Sequence, residues 1–580
     1  IAFAERDWVV VGDLRNLTGD PRLDESLEQA FRISLEQSRY VNVLSDLKVR
    51  ETLGNMQRKP DMAVDRALGS EIALRDGARA LLLPTVAEVG GRLRVSAEVI
   101  DPRTQTTVYA VMADGRGTES VLGSIDQVTD QLRGKLGEAL QNVQKTSVPL
   151  PNVATPSLDA LKAFAVARSI VNTTQNREQA LGLYRRALQL DPQFALAHAD
   201  IARLHASLGE VALADAEWRK ALALPQRLSP QERQMVELML AQHSGPQAYF
   251  RKAQEYLALY PDDYRTMARL ATNQWHQRND FRMAEALIRG TLKPQHESIA
   301  RSRYMLGVYL LGQEKFDAAL SSFAAARSGG FSAWGDYYAL AYDARGQYAK
   351  ADKVYSESAN GSSGRQRDIA VVTWLGRKQW SQATVSARSW QADAEAAGDV
   401  LEYLRARAAI TSADVLSGQE NAGQAVQDLL VAVKARGADG DALYPPISTE
   451  LRLYAGLLAA SREDRATVAN LLRQTEGSQV VRDYPTVGQL RQVVLAEQER
   501  MAGKPQEALA RLQPLARQET ALVVVHWALM RAASAAGDAT LVQEQAKWLA
   551  EHRGRIYAES TTSEVLRFFN ATLPAAGKVP

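Results

Sequence analysis

The 580-residue sequence contains no cysteine. That removes disulfides, thiolate nucleophiles and cysteine-ligated zinc at once. It leaves the compartment open, although a chain without free thiols suits an oxidising space. Histidine is scarce, with seven copies, and no HExxH, GxSxG or kinase signature accompanies it. His198 and His205 stand two helical turns apart, about 10 Å along the axis, too far to share a metal easily. His526 and His552 are isolated in helical sequence, and all four read as packing residues. No apolar run reaches the roughly 18 residues of a membrane span. Net charge is only +2, without the concentrated basic stripe that nucleic acid demands. These deficits point away from catalysis, and no metal, cofactor or nucleic acid is expected.

One stretch nevertheless has the layout of a phosphate site: VVVGDLRNLTGDPRLDESL, from Val9 to Leu27, runs a short strand through two glycines into a helix. A phosphate loop needs converging backbone N–H groups, usually with a lysine and a hydroxyl in GxxxxGK[ST]. Here Gly12 and Gly19 are followed by Asp13 and Asp20, and the helix opens with Asp24 and Glu25. Those carboxylates suit the helix dipole themselves and would repel a phosphate. Both glycines therefore read as turn residues supplying positive φ.

Residues 1–145 mix strand and helix signals and read as an α/β domain. A strand near Val9–Leu14, a helix near Asp24–Gln37 and a strand near Val41–Leu44 are followed by helices near Leu47–Met56 and Ala63–Asp76. Two alternating runs around Gly90 and Gly91 predict a hairpin. Asp101 and Pro102 turn into a further strand near Thr106–Met112, and a helix near Ser120–Val143 closes the domain. The three prolines between Gln144 and Pro156 mark residues 146–156 as a linker.

From 157 to 570 a repeat takes over, with 571–580 as a tail. Ala180, Tyr184 and Ala187 recur as Ala214, Trp218 and Ala221 at a spacing of 34 residues, the tetratricopeptide period. Ala284, Ala319, Ala351 and Ala383 continue it. The fullest copy, LGVYLLGQEKFDAALSSFAAA, sets Leu306, Gly307 and Leu310 on a first helix and Ala319, Phe323 and Ala326 on a second. Ser229, Pro230 and Glu232 form a helix start with cap, first-turn proline and capping-box glutamate. The fold class is thus an α/β domain followed by an all-α superhelical solenoid.

Solenoids of this kind offer a long concave wall to peptides and partner proteins. The repeat phase assigns that wall Arg203, Arg269, Asn273, His276, Arg301, Tyr304, Asp336 and Asp343. Arg269 and Asn273, one turn apart and followed by His276, resemble the carboxylate clamp of chaperone-binding tetratricopeptide domains. Met305, where the clamp has its next asparagine, departs from that pattern.

The leading domain resembles the amino-terminal domain of TolB and its relatives. The residues that carry the likeness are VVVGDLRNLTGDPRLDESL, LEQSRYVNVLSD, DRALGSEIALRDGARALLLPTVAEV and VSAEVIDPRTQTTVY. With the repeats and the RLSPQER segment, Arg227–Arg233, the chain is similar to the carboxy-terminal region of peptide modification system cyclases of proteobacteria. That resemblance implies a non-catalytic sensor or regulatory region of a membrane-bound signalling protein, with a nucleotide cyclase domain and a membrane helix preceding Ile1. It implies a peptide or protein ligand, a small modified peptide among the candidates, and a place on the periplasmic side of the inner membrane. The alternatives are a free envelope scaffold or chaperone-like adaptor without signalling output, and a cytoplasmic location.

Overall fold

The computed structural model describes residues 3–173, 176–333, 335–358, 364–437 and 445–574. The chain divides into two compact units. The first comprises Ile1–Ser244, Ala248–Asp263 and Lys293–Glu297; the second comprises Gly245–Gln247, Tyr264–Leu292 and Ser298–Pro580.

The first unit begins with strands β1 (Asp7–Val11) and β2 (Arg15–Leu17), helix α1 (Asp24–Leu35), β3 (Val41–Val43), α2 (Asp46–Asn55) and α3 (Arg66–Asp76). The hairpin β4 (Ala80–Val89) and β5 (Arg92–Ile100) follows, then β6 (Thr107–Gly115) and α4 (Val121–Lys135). The sheet order is β3-β1-β4-β5-β6, with β2 also on β4. β1 runs parallel to β3 and β4, whereas β5 is antiparallel to both its neighbours, β4 and β6. Gly90 and Gly91 both take positive φ at the hairpin tip, as the alternating pattern requires. Gly19 is left-handed as expected, but Gly12 is not among the positive-φ residues. A Cβ there would meet Leu83 at 2.5 Å and the Val64 carbonyl at 2.6 Å, so close backbone approach, not turn geometry, requires glycine at position 12.

The helix expected to run from Ser120 to Val143 stops early. Gly137, at φ 106°, breaks it, and Arg133 turns inward to bind Glu138 through bonds of 2.8 Å. Two short helices follow, α5 (Leu140–Thr146) and α6 (Leu150–Val153). The proline-rich segment is therefore no loose tether. Val148 N–H donates to Gln37, Leu150 N–H donates to Asp126, and Leu150, Val153 and Ala154 are buried. Its prolines start short helical turns, and their apolar neighbours find cover against α1 and α4. Three helix pairs complete the unit: α7 (Leu158–Thr173) with α8 (Arg177–Leu190), α9 (Ala195–Ser207) with α10 (Val211–Leu222), and α11 (Pro230–Ala241) with α12 (Pro246–Leu259).

The second unit stacks eight further pairs. They are α13 (Tyr264–Arg278) with α14 (Phe281–Gly290), α15 (Ile299–Leu311) with α16 (Phe316–Ser328), α17 (Asp336–Ala344) with α18 (Tyr348–Ser358), and α19 (Gly364–Gly376) with α20 (Trp380–Ala396). Then come α21 (Val400–Leu416) with α22 (Ala422–Gly437), and α23 (Pro445–Ser461) with α24 (Arg465–Gln474) and the short α25 (Gln479–Asp483). The last two pairs are α26 (Pro485–Met501) with α27 (Pro505–Ala516), and α28 (Val523–Ala536) with α29 (Ala539–Glu551). Two short helices follow, α30 (Arg553–Ala558) and α31 (Leu566–Asn570).

The repeat positions all lie inside: Ala180, Ala187, Ala214, Ala221, Ala284, Ala319, Phe323, Ala326 and Ala383 are fully buried. Their logic is clearest at α15 and α16. A Cβ on Gly307 would stand 2.6 Å from the Phe323 ring, so the small residue on the first helix admits the aromatic from the second. Ser229 caps α11 by accepting from Glu232 N–H at 3.2 Å. The Glu232 carboxylate completes no reciprocal capping bond and binds Arg203 at 2.9 Å. Residues 575–580 of the expected tail lie outside the described residues, whereas Ala571 and Leu573 are core.

Replacing Phe323 by alanine should cost roughly 3 to 5 kcal/mol of stability in denaturant melts, because the site cannot collapse around the void. A loss below about 1 kcal/mol would mean the ring is not the wedge between helix pairs. Limited proteolysis should spare residues 146–156 in the native chain.

Candidate functional site: the inner wall of the second unit

The first helices of successive pairs, α13, α15, α17, α19, α21, α23, α26 and α28, follow one another around the second unit. The row returns on itself: α13 packs against α26, and the Asn279 amide donates to the carbonyls of Thr520 and Ala521 at 3.3 and 3.0 Å. The wall so enclosed holds the chain's own residues 552–573.

That segment is gripped mainly by carboxylates and amides on the loops and inner helices. Glu314, left-handed at φ 61° between α15 and α16, accepts the N–H groups of Gly554 and Arg555 at 2.9 and 2.7 Å. Gly554 is needed there, since a Cβ would lie 2.3 Å from the Leu311 carbonyl. Trp275 Nε1 donates to the Ala558 carbonyl at 2.9 Å. The fully buried Glu559 accepts from Val523 N–H (2.9 Å), Asn279 (3.0 Å) and Asn570 (2.8 Å). Glu450, on α23, accepts from Thr561 and from the N–H and hydroxyl of Ser563, while Arg405 donates to the Ser563 carbonyl. Arg567 closes the series on Asp368 of α19 at 2.9 Å.

Apolar burial adds the larger share. Ile556, Tyr557, Val565, Leu566, Phe568 and Phe569 are 0–3% exposed. Phe568 packs edge-on to Trp390 and Phe569 to Trp527. At roughly 1.5 to 3 kcal/mol per fully buried large side chain, these six contribute on the order of 9 to 18 kcal/mol, an upper bound. A micromolar ligand brings only about 8 kcal/mol. The segment is therefore a fixed filler of the wall and not a readily exchanged occupant.

The candidate wall residues separate accordingly. Asn273, Tyr304, Asp336 and Asp343 are buried, each 4–8% exposed. The Asn273 amide donates to Gln277 at 2.6 Å, so it is not presented as a clamp. The Tyr304 hydroxyl accepts from Tyr337 N–H, and its ring packs near Phe323 and Phe331. Asp343 takes Arg377 at 2.7 Å, and burial pushes its carboxyl up to about 6 against the pull of that guanidinium. His276 is half-buried, with its ring 4.2 Å from that of Trp275. Arg269 and Arg301, on α13 and α15, are exposed. Arg203 belongs to the first unit, where it joins Arg168 and Tyr184 on the buried Asp200.

What sequence reasoning missed is the filler. It has no repeat period, and its grip depends on acids spread from Glu314 to Glu559. The one local signal is the closely spaced LRFFN run at Leu566–Asn570, too apolar for a solvated tail.

Stacked antiparallel helix pairs with small and aromatic residues at a 34-residue spacing define a tetratricopeptide-type solenoid, preceded by a small mixed α/β sheet. No model of a known protein family matches the chain, and no curated protein matches it. Among solved structures, it is similar to Pseudomonas aeruginosa PilF at 18% identity, covering 42% of this chain and 95% of that one, with a TM-score of 0.24. The LpoB C-terminal domain from Escherichia coli matches at 13% identity over 20% of this chain and 87% of its own, with a TM-score of 0.19. Human IFIT1, a dimer with m7Gppp-AAAA, matches at 12% identity over 79% of this chain and 99% of its own, with a TM-score of 0.34.

Burial raises the Glu314 carboxyl to about 7, against the two N–H groups and arginines that lower it, and raises Glu450 and Glu559 in the same direction. A carboxyl raised on folding holds its proton more tightly in the folded state. Its stabilising share is full below the ordinary range near 4.5 and is lost as pH climbs to about 7. The melting temperature of the second unit should therefore fall between pH 5 and pH 8 in calorimetry, and Glu314→Gln should flatten that slope. Glu559→Ala, which leaves the buried donors of Val523 and Asn570 unmet, should cost about 3 kcal/mol.

Proposed function

We propose that this chain is a non-catalytic regulatory region that binds a peptide or protein partner along the exposed rim of the α13–α15 wall. The observation that carries the reading is the division among the wall residues. The depth of the wall is spent on residues 552–573, while Arg269 and Arg301 stand exposed on successive inner helices. Two guanidiniums on neighbouring first helices suit an extended segment carrying carboxylates, since each offers a planar pair of donors. The proposal extends to the setting: the resemblance of the leading domain and repeats supports a sensor region of a membrane-bound signalling protein with nucleotide cyclase output, on the periplasmic side of the inner membrane.

The test is a peptide-display selection against the intact chain, followed by titration of the selected peptides. Arg269→Glu and Arg301→Glu should each weaken binding by about ten- to a hundredfold, the worth of a charged hydrogen bond, with circular dichroism unchanged. Binders that ignore both reversals would overturn the rim as the site.

A further inference from the structure

The first unit contains a cleft of about 250 Å³ beyond the carboxyl end of β1, between the Asp13–Leu14 turn, α1, the start of α2 and α7. Its position is favourable for a ligand. The chain leaves β1 toward β3 through α1 and returns to β4, on the other side of β1, through α2 and α3. Such a reversal opens a crevice at the strand's carboxyl end.

Charge in the cleft is unbalanced. Among the described residues, Asp13, Asp24, Glu25, Glu28, Asp46 and Asp61 line it with three arginines, and two of those already hold a carboxylate. Arg32 holds Asp46 at 2.7 Å, and Arg168 holds Asp200, outside the cleft, at 2.7 Å. Asp13 and Glu28 each receive one long backbone bond, from Val64 N–H and Leu14 N–H at 3.2 Å. Burial raises both carboxyls by more than Arg32, which lowers each, offsets, and the Asp13 charge raises Glu28 further. Among the described residues no group of three or more His, Asp or Glu is placed to hold a metal ion.

A second observation shows that a cation alone is not enough. Arg32 is 7% exposed, yet its Nε has no acceptor, and the Nε of Arg50, also lining the cleft, is buried without one. Two guanidinium edges thus carry a donor without an acceptor beside carboxylates that outnumber the arginines facing them. The volume lies below the roughly 300–1,000 Å³ of pockets for drug-sized molecules, so the occupant is small.

We propose that this cleft binds a free basic α-amino acid. Its ammonium groups neutralise Asp13 and Glu28 and the acids at the rim, and its carboxylate meets Arg32 and Arg50. Lysine, ornithine and arginine have this combination of charges; glutamate and norleucine do not. The same carboxylates that exclude a phosphate from the VVVGDLRNLTGD turn select such a ligand.

Isothermal titration of the intact chain with lysine, ornithine and arginine tests the proposal, with norleucine, glutamate and the diamine cadaverine as comparisons. Binding by at least one basic amino acid is expected, weakened about tenfold or more by Glu28→Gln and by Asp13→Asn, with the melting profile checked for each variant. The milder Glu28→Asp should retain part of the affinity. No heat with any basic amino acid at 10 mM, or binding that survives Glu28→Gln in a folded variant, overturns the site. Cadaverine binding as well as lysine overturns the role of the two arginines.

Discussion

The second unit depends on one buried carboxylate. Glu559 holds the start of α28, the turn after α13 and the final helix in a single set of bonds, so the first, last and innermost parts of the array meet on its two oxygens. A carboxylate removed from water is expensive unless every lone pair is used. Here the donors that satisfy it come from three separate stretches of chain. The low surrounding dielectric makes each bond stronger, and any missing one costlier.

An open solenoid is stabilised pair by pair, each repeat leaning only on its neighbours. Return of the row onto α13 and filling of its wall change that arithmetic. The inside, which a peptide-binding array would keep polar and wet, instead carries Trp275 of α13, Tyr304 of α15, Trp390 of α20 and other buried aromatics around residues 552–573. The wall behaves as a core. Exposed guanidiniums remain at the edges, on Arg269 and Arg301, and acids crowd a crevice in the α/β unit.

The sequence made the repeat legible because the constraint is local and periodic: two helices crossing at fixed spacing need Gly307 opposite Phe323, and the same need recurs every turn of the array. The hairpin at Gly90 and Gly91 was legible for the same reason. The cause of Gly12 was not, because the atom it avoids belongs to Val64, a neighbour in space only. The wall residues from Arg269 to Asp343 fall on the first helices α13, α15 and α17, yet their availability depended on a segment up to about 300 positions away. A periodic pattern records which residues face inward; it does not record what the inside contains. The cleft beside β1 was half visible, since the aspartates that ruled out a phosphate stood in the opening turn, but Glu28 and Arg32 join them only once α1 is docked.

The distance between the partners of the filler also has a consequence for synthesis. Asn279 and Glu559 are 280 residues apart, and translation proceeds at about 5–20 residues per second. The inner aromatics of α13 and α15 therefore wait on the order of ten seconds or more on the ribosome before the residues that cover them emerge. During that interval the growing array has an apolar trough of its own making. It is the nascent chain, more than the mature protein, that presents an open groove.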